Sequence, residues 1–259
     1  MKIALVGYGK MGRMVAQAAR SMGHEVVAAI DVAAKDATVV VPPGDGAALA
    51  GAVRRSGAEG VIEFSHPLSV VANVGALIPL GVPLVVGTTG WAQAEGEVAA
   101  LCGKTGGTVL RSSNFSVGVN VFYKIVEEAA RLMAVCPDYD VAVWEAHHNQ
   151  KADSPSGTAL EIARRIMAQN KAKTEIVADA FHERPKANEL HVSSTRIGST
   201  PGTHTVFFDS AADTIELTHR VRNREGLARG AVVALERLRD RLASGALAKG
   251  RLYGMEDVF

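Results

Sequence analysis

The sequence predicts an α/β chain of two domains: a doubly wound, parallel-sheet domain and a smaller α+β domain with a mixed sheet. Three observations carry this. Short apolar runs alternate with amphipathic stretches through the first half of the chain. The pattern changes after residue 115, where a long helical period is followed by strands that alternate apolar with polar residues. The chain has 259 residues, more than one minimal module at roughly 100–200 residues per domain.

In order, residues 2–6 read as a strand and 11–22 as a helix with Ala, Met and Val on its buried face. Residues 25–30, 61–64, 83–87 and 108–111 are further apolar strands, with helices near 67–80 and 93–104. Their lack of polar alternation indicates a sheet covered on both faces. Residues 38–46 are rich in Pro and Gly and read as a connection. Residues 117–136 form a long helix, with Val121, Phe122, Ile125, Val126, Ala129, Leu132 and Met133 at helical spacing. A strand at 139–145 and a helix at 156–169 follow, then strands at 191–197, 205–209 and 214–221. In the last strand Ile215, Leu217 and Val221 alternate with Glu216, Thr218 and Arg220, which suits a mixed or antiparallel sheet. A closing helix at 226–242 is assigned back to the first domain. The domains are therefore 1–115 plus 226–259, which would bind a dinucleotide, and 116–225, which would bind substrate and build the oligomer.

Apolar residues make up 47% and charged residues 21%, which excludes disorder and collagen-like repetition. A chain of this size buries about 70–75% of its unfolded surface, enough for a core without metal or disulfide staples. The 28 basic and 27 acidic side chains give a net charge of +1, so no field favours nucleic acid or a membrane surface. Cys102 and Cys136 have neither disulfide-framework nor metal-site spacing and fit a reducing compartment. There is no 18-residue apolar run, and residues 1–7 lack the long apolar stretch of a signal peptide. The expectation is a cytoplasmic protein with no membrane or nucleic-acid partner.

Gly7-Tyr8-Gly9-Lys10-Met11-Gly12 is a GxGxxG string between a strand and a helix. The first glycine allows the turn, the second lets a pyrophosphate approach the backbone, and the third lets helix and strand pack closely. The helix N-terminus then offers free N–H groups to phosphate. Asp31 ends the second strand, 19 positions after Gly12, where its carboxylate would bond the adenosine ribose. A carboxylate there opposes a 2′-phosphate; Val32, Ala33 and Ala34 follow it, and Lys35 is the first basic residue. NADH is therefore expected to be preferred, with NADPH accepted through Lys35 or Lys10. Two more loops, Gly87-Thr88-Thr89-Gly90 and Ser112-Ser113-Asn114-Phe115, follow strands and sit where such sheets bind ligands.

The most informative segment runs from Glu145 to Leu160, EAHHNQKADSPSGTAL. Neighbouring side chains on an extended segment diverge, so His147 and His148 have different tasks. No cysteine or HExxH spacing supports a metal. Ser156, Gly157 and Thr158 would form the first turn of a helix whose N–H groups accept a carboxylate, with Lys151 and one histidine adding positive charge. A histidine also supplies a proton near neutral pH, which hydride addition to C=N or C=C requires. A dinucleotide on one domain and this pocket on the other describe a reductase.

At this segment the chain resembles the dihydrodipicolinate (4-hydroxy-tetrahydrodipicolinate) reductases of lysine biosynthesis. The resemblance continues through GYGKMGR, EFSHP at 63–67, VVGTTGW at 85–91, SSNFSVGVN at 112–120, GTHTVFF at 202–208 and IELTHRVRNREGLARGA at 215–231. It implies a Rossmann domain for NADH or NADPH, with Phe64 among the cofactor contacts and the nicotinamide near Thr88, Thr89 and Phe115. It implies a small cyclic dicarboxylate as substrate, His147 as proton donor, Lys151 assisting protonation or holding a carboxylate, and His148, Gly157, Thr158 and Arg224 around the substrate. It implies a homotetramer in the diaminopimelate route. The chain departs from the family in a short 31–61 interval, in Asn149 and Gln150 where basic residues are common, and in lacking an arginine after Asp31. Two other readings share the glycine loop: a different two-domain NAD(P)-dependent dehydrogenase, and a non-catalytic dinucleotide sensor, which would leave the His-Lys pocket unexplained.

Overall fold

The computed structural model describes residues 1–223 and 225–259. The chain divides into two compact units, Met1–Val117 with Glu225–Phe259, and Gly118–Arg224.

The first unit carries β1 (Lys2–Val6), α1 (Lys10–Ser21), β2 (Glu25–Asp31), β3 (Val39–Val40), α2 (Gly46–Ser56), β4 (Gly60–Glu63), α3 (Val70–Leu77), β5 (Leu84–Val86), α4 (Glu95–Thr105) and β6 (Val109–Arg111). The second carries α5 (Val117–Met133), β7 (Asp140–His147), α6 (Gly157–Gln169), β8 (Glu175–Val177), β9 (Glu189–Arg196), β10 (Thr203–Asp209) and β11 (Thr214–Arg220). The chain closes in the first unit with α7 (Glu225–Ala243) and β12 (Leu252–Tyr253).

The first sheet has the order β12-β6-β5-β4-β1-β2-β3, with every pairing parallel. Its strands are apolar throughout because helices cover both faces. Ile3 and Leu5 join the core beneath α1 and α7, while Ala4 and Val6 join the core beneath α2, α3 and α4. Strand order reverses at β1, with β2 on one side and β4 on the other, and the glycine loop leaves β1 at that switch point.

Three elements here were not expected. β3 and α2 lie in and after the segment read as a connection. Asp45 caps α2 by accepting from the Ala48 N–H at 2.8 Å, and Gly57 ends it at φ +66°. Those cap signals stand in the sequence, but the Pro-Gly density before them obscures the start. β12, with two residues, is too short to show a period; so is the three-residue β8 of the second unit.

The second sheet has the order β11-β10-β7-β9-β8. β10 pairs antiparallel with β11 and β7, while β7–β9 and β9–β8 are parallel, so the sheet is mixed. Helices α5 and α6 cover one face, with Val126, Ile162 and Ile166 packed among Val143, Val192 and Val206. The apolar residues expected on α5 divide between two sides. Phe122 and Val126 are buried, whereas Val121, Ile125 and Leu132 are 43%, 49% and 54% exposed. No described helix is long and apolar enough to cross a membrane.

Candidate active site

In the first unit the residues expected to hold a dinucleotide gather at the carboxyl ends of the strands. Gly7 adopts φ +87°, and a Cβ there would lie 2.1 Å from the Phe64 carbonyl oxygen. A Cβ on Gly12 would lie 2.1 Å from the Gly7 carbonyl oxygen. These two glycines are demanded by the protein's own packing. Gly9 is different: a Cβ there meets no protein atom within 4 Å, so that side of the loop is open to a ligand. Gly9 also precedes α1 without a side-chain cap, and no acid occupies the first turn, as a phosphate site requires. Lys10 and Met11 begin that helix, Met11 against the core.

Asp31 accepts from the N–H groups of Tyr8 at 2.6 Å, Ala33 at 2.9 Å and Ala34 at 3.0 Å. Burial raises its pKa, but these backbone donors outweigh burial and hold it below the ordinary carboxylate value. Gly7, Gly9, Asp31 and Phe64 line one cavity of about 300 Å³, closed on its other side by Pro42, Pro43 and Gly44. Thr88, Thr89, Ser112 and Ser113 line a smaller hollow of about 140 Å³. The Phe64 ring lies on Gly87, where a Cβ would be 2.1 Å from the ring, and meets Phe115 edge-on at 6.0 Å. Phe115 is buried; Ser112 and Asn114 shape its loop through hydrogen bonds to each other. These residues fit a nicotinamide dinucleotide.

Two side chains here escaped the sequence reading. Glu63 is fully buried at the end of β4, and burial raises its pKa. It bonds the Ser65 hydroxyl, and the Ser65 N–H reaches Thr88 Oγ1 at 2.8 Å, so Glu63 ties together the loops after β4 and β5. Arg13 stacks over the Tyr8 ring at 5.3 Å and is paired with Asp36 at 2.6 Å.

In the second unit the register of the sheet builds a polar cluster. Glu145 and His147 are two residues apart on β7 and share a face. Glu145 pairs with His204 of β10 on one side and Ser194 of β9 on the other; His147 pairs with Arg196. His147 Nδ1 lies 2.5 Å from Glu145 Oε2, and His204 Nε2 lies 3.9 Å from the same oxygen. The other oxygen, Oε1, is 2.8 Å from Arg196 Nη2. Glu145, His147 and His204 lie close enough together to suggest a metal site. The 2.5 Å spacing is nevertheless a direct contact. Two ligand atoms on a tetrahedral ion with bonds of 2.0–2.1 Å stand ~3.3 Å apart.

Burial raises the Glu145 pKa, but Ser194, Arg196 and Ser156 outweigh it and keep it ionised. Burial lowers His147, with Glu145 opposing and Lys151 and Arg196 adding to the shift. Burial, then the neighbouring His147, lowers His204 to about 4. His204 therefore favours the fold when neutral. That contribution is complete above the ordinary value of 6.5 and is lost as pH falls from there through about 4. By linkage the loss is on the order of 3 kcal/mol. Thermal melts from pH 7 to 4 should show a steeper loss of Tm in the wild type than in His204→Gln; parallel curves would contradict this.

His148 is half-buried, and its carbonyl accepts from the Lys151 N–H at 3.1 Å. Lys151 Nζ lies 2.7 and 2.9 Å from the two oxygens of Asp153. The Gly157 N–H also helps hold the Asp153 carboxyl below its ordinary value, after the larger effect of Lys151. Lys151 and Gly157 are donors assigned from sequence to a substrate carboxylate. Ser156 is buried and caps α6, accepting from the Ala159 N–H at 3.2 Å; its own N–H reaches Glu145 at 3.3 Å. Burial raises the Tyr123 phenol's pKa, and the neighbouring Thr158 hydroxyl opposes that shift. Arg224 lies outside the described residues. Glu145, Arg196 and His204 were missed. The signal for Glu145 was its place two residues before His147 on a strand, whereas His204 and Arg196 depend on register, which one strand's sequence does not carry.

Residues 1–115 match the family model described as dihydrodipicolinate reductase, N-terminus, and residues 118–259 the one described as dihydrodipicolinate reductase, C-terminus. The 4-hydroxy-tetrahydrodipicolinate reductase of Christiangramia forsetii is 35% identical over 258 residues, covering 100% of this chain and 97% of that one. The Archaeoglobus fulgidus protein of the same name is 37% identical over 243 residues, covering 90% and 92%. Among solved structures, a dipicolinate-bound dihydrodipicolinate reductase from Paenisporosarcina sp. TG-14 shares the fold, with a TM-score of 0.78 at 19% identity over 100% of this chain and 99% of that one.

Proposed function

The chain belongs to the dihydrodipicolinate reductase family, and from that premise we propose that it reduces 4-hydroxy-tetrahydrodipicolinate to tetrahydrodipicolinate with His147 as proton donor. The net change is gain of one hydride and one proton and loss of water. A bound NADH or NADPH supplies the hydride. The residues of the second unit do the rest. Lys151, His148 and the 157–158 turn hold the two carboxylates, and His147 protonates the ring atom that gains electron density. The observation that carries this is the Glu145–His147 contact at 2.5 Å beside Lys151, an acid-oriented imidazole next to a cation. The place of the reaction is the diaminopimelate route to lysine in the cytoplasm. A homotetramer is supported by the exposed apolar side chains of α5, which suit burial against another copy.

NADH is the preferred reductant in this proposal. Asp31 is held ionised in the cavity, and Arg13, the cation over Tyr8, is already neutralised by Asp36. Steady-state consumption of each dinucleotide with the cyclic substrate tests both points. Turnover is expected, with kcat/KM for NADH exceeding that for NADPH by about tenfold, or about 1.4 kcal/mol. No turnover would refute the activity, and an NADPH preference would refute the cofactor assignment.

A further inference from the structure

We propose that Glu145 is a positioning residue for His147, its carboxylate retaining the Nδ1 proton so that Nε2 is the atom that delivers a proton to substrate. This rests on the reading of His147 as proton donor. Glu145 is 0% exposed, and its Oε2 lies 2.5 Å from His147 Nδ1, an ion-pair contact set off the line of a hydrogen bond. Its Oε1 is held by Arg196 at 2.8 Å and by the Ser156 N–H at 3.3 Å. The carboxylate therefore cannot turn away from the imidazole without breaking two other contacts. Nε2 lies against Gly202, where a Cβ would stand 3.0 Å from it. The sheet thus sets one ring nitrogen against a buried acid and the other against a position that a glycine fills.

The groups facing His147 come from four elements: Glu145 on β7, Arg196 on β9, His204 on β10 and Lys151 in the loop before α6. His204 meets the His147 ring edge-on at 5.1 Å, and its Nε2 is 3.2 Å from the Ser156 hydroxyl. It stays neutral at working pH and is not the proton source. Arg196 has a second task. Its guanidinium also bonds the carbonyls of Lys151 at 3.3 Å and Asp153 at 2.5 Å. The cation that balances Glu145 therefore anchors the loop that presents Lys151.

Neutral imidazole in water favours the proton on Nε2. A carboxylate on Nδ1 inverts that preference. Nitrogen-15 NMR of the histidine-labelled wild type, at a pH where His147 is neutral, is the primary test. The His147 signals are assigned by their loss in His147→Gln. The expected result is the Nδ1–H tautomer; an Nε2–H tautomer overturns the inference. In the second test, Glu145→Gln should lower kcat by about 10–10³-fold with KM changed less than threefold. It should also move the alkaline limb of kcat/KM to lower pH, because the carboxylate no longer favours the imidazolium. Unaltered kcat and pH profile overturn the inference. The two readings fail separately. Full activity in His147→Gln defeats the proton-donor reading, while the tautomer still decides whether Glu145 orients the ring.

Discussion

Replacing His147 with Gln is expected to lower kcat by about 10²–10⁴-fold while KM changes little. In the proposed function the imidazole is not the main anchor of either carboxylate, so its loss should leave substrate binding nearly intact and remove the proton source. Gln fills a similar volume and can still donate to Glu145, which limits collateral damage in a cluster where Glu145 is wholly buried. The free protein presents a complication that the account resolves. Burial lowers the His147 pKa, so the imidazole of the free enzyme is mostly neutral at pH 7. A bound diacid brings two negative charges towards it and raises that pKa again. The pKa governing kcat/KM is accordingly expected below 6.5 and that governing kcat above it, with activity falling as pH rises through each. An unaltered kcat in the variant would remove His147 from the mechanism.

Lys151→Ala is expected to raise KM by about 10–100-fold, the worth of one charge-assisted hydrogen bond, and to lower kcat as well. In the structure the ammonium is engaged by both oxygens of Asp153. Asp153 thus occupies the ammonium that the proposed function assigns to a substrate carboxylate. In the proposed function a substrate carboxylate would compete with Asp153 for Lys151, so the gain would be a difference between two carboxylates. The side chain is 23% exposed, which screens the pair and keeps that exchange inexpensive. A KM left unchanged in Lys151→Ala would argue against any contact between Lys151 and substrate.

Much of this arrangement was legible in the chain because it is local. The glycine loop, Asp31 and the loops after β5 and β6 follow strands in sequence, and a parallel sheet puts all such loops at one edge. The helix start at Ser156-Gly157-Thr158 was legible for the same reason: an N-cap serine precedes a helical period. What escaped was set by pairing. Glu145 meets His204 only because β7 and β10 run antiparallel in one register, and it meets Arg196 because β9 runs parallel on the other side. A shift of one residue would turn Glu145 to the opposite face. The helix α5 was legible, but which of its apolar residues are covered was not. Of its seven apolar residues at helical spacing, Val121, Ile125 and Leu132 are exposed, as in a helix with two apolar sides.

The central claim is that an acid-oriented imidazole and an ammonium act on a cyclic diacid reduced by a bound dinucleotide. The most direct measurement is a crystal structure with NADH and pyridine-2,6-dicarboxylate, a planar analogue of the substrate. One ligand carboxylate is expected on Lys151 Nζ and the Gly157 N–H in place of Asp153, with His147 Nε2 directed at the ring and Nδ1 still on Glu145. An analogue bound without Lys151, or an imidazole turned away from the ring, would contradict it.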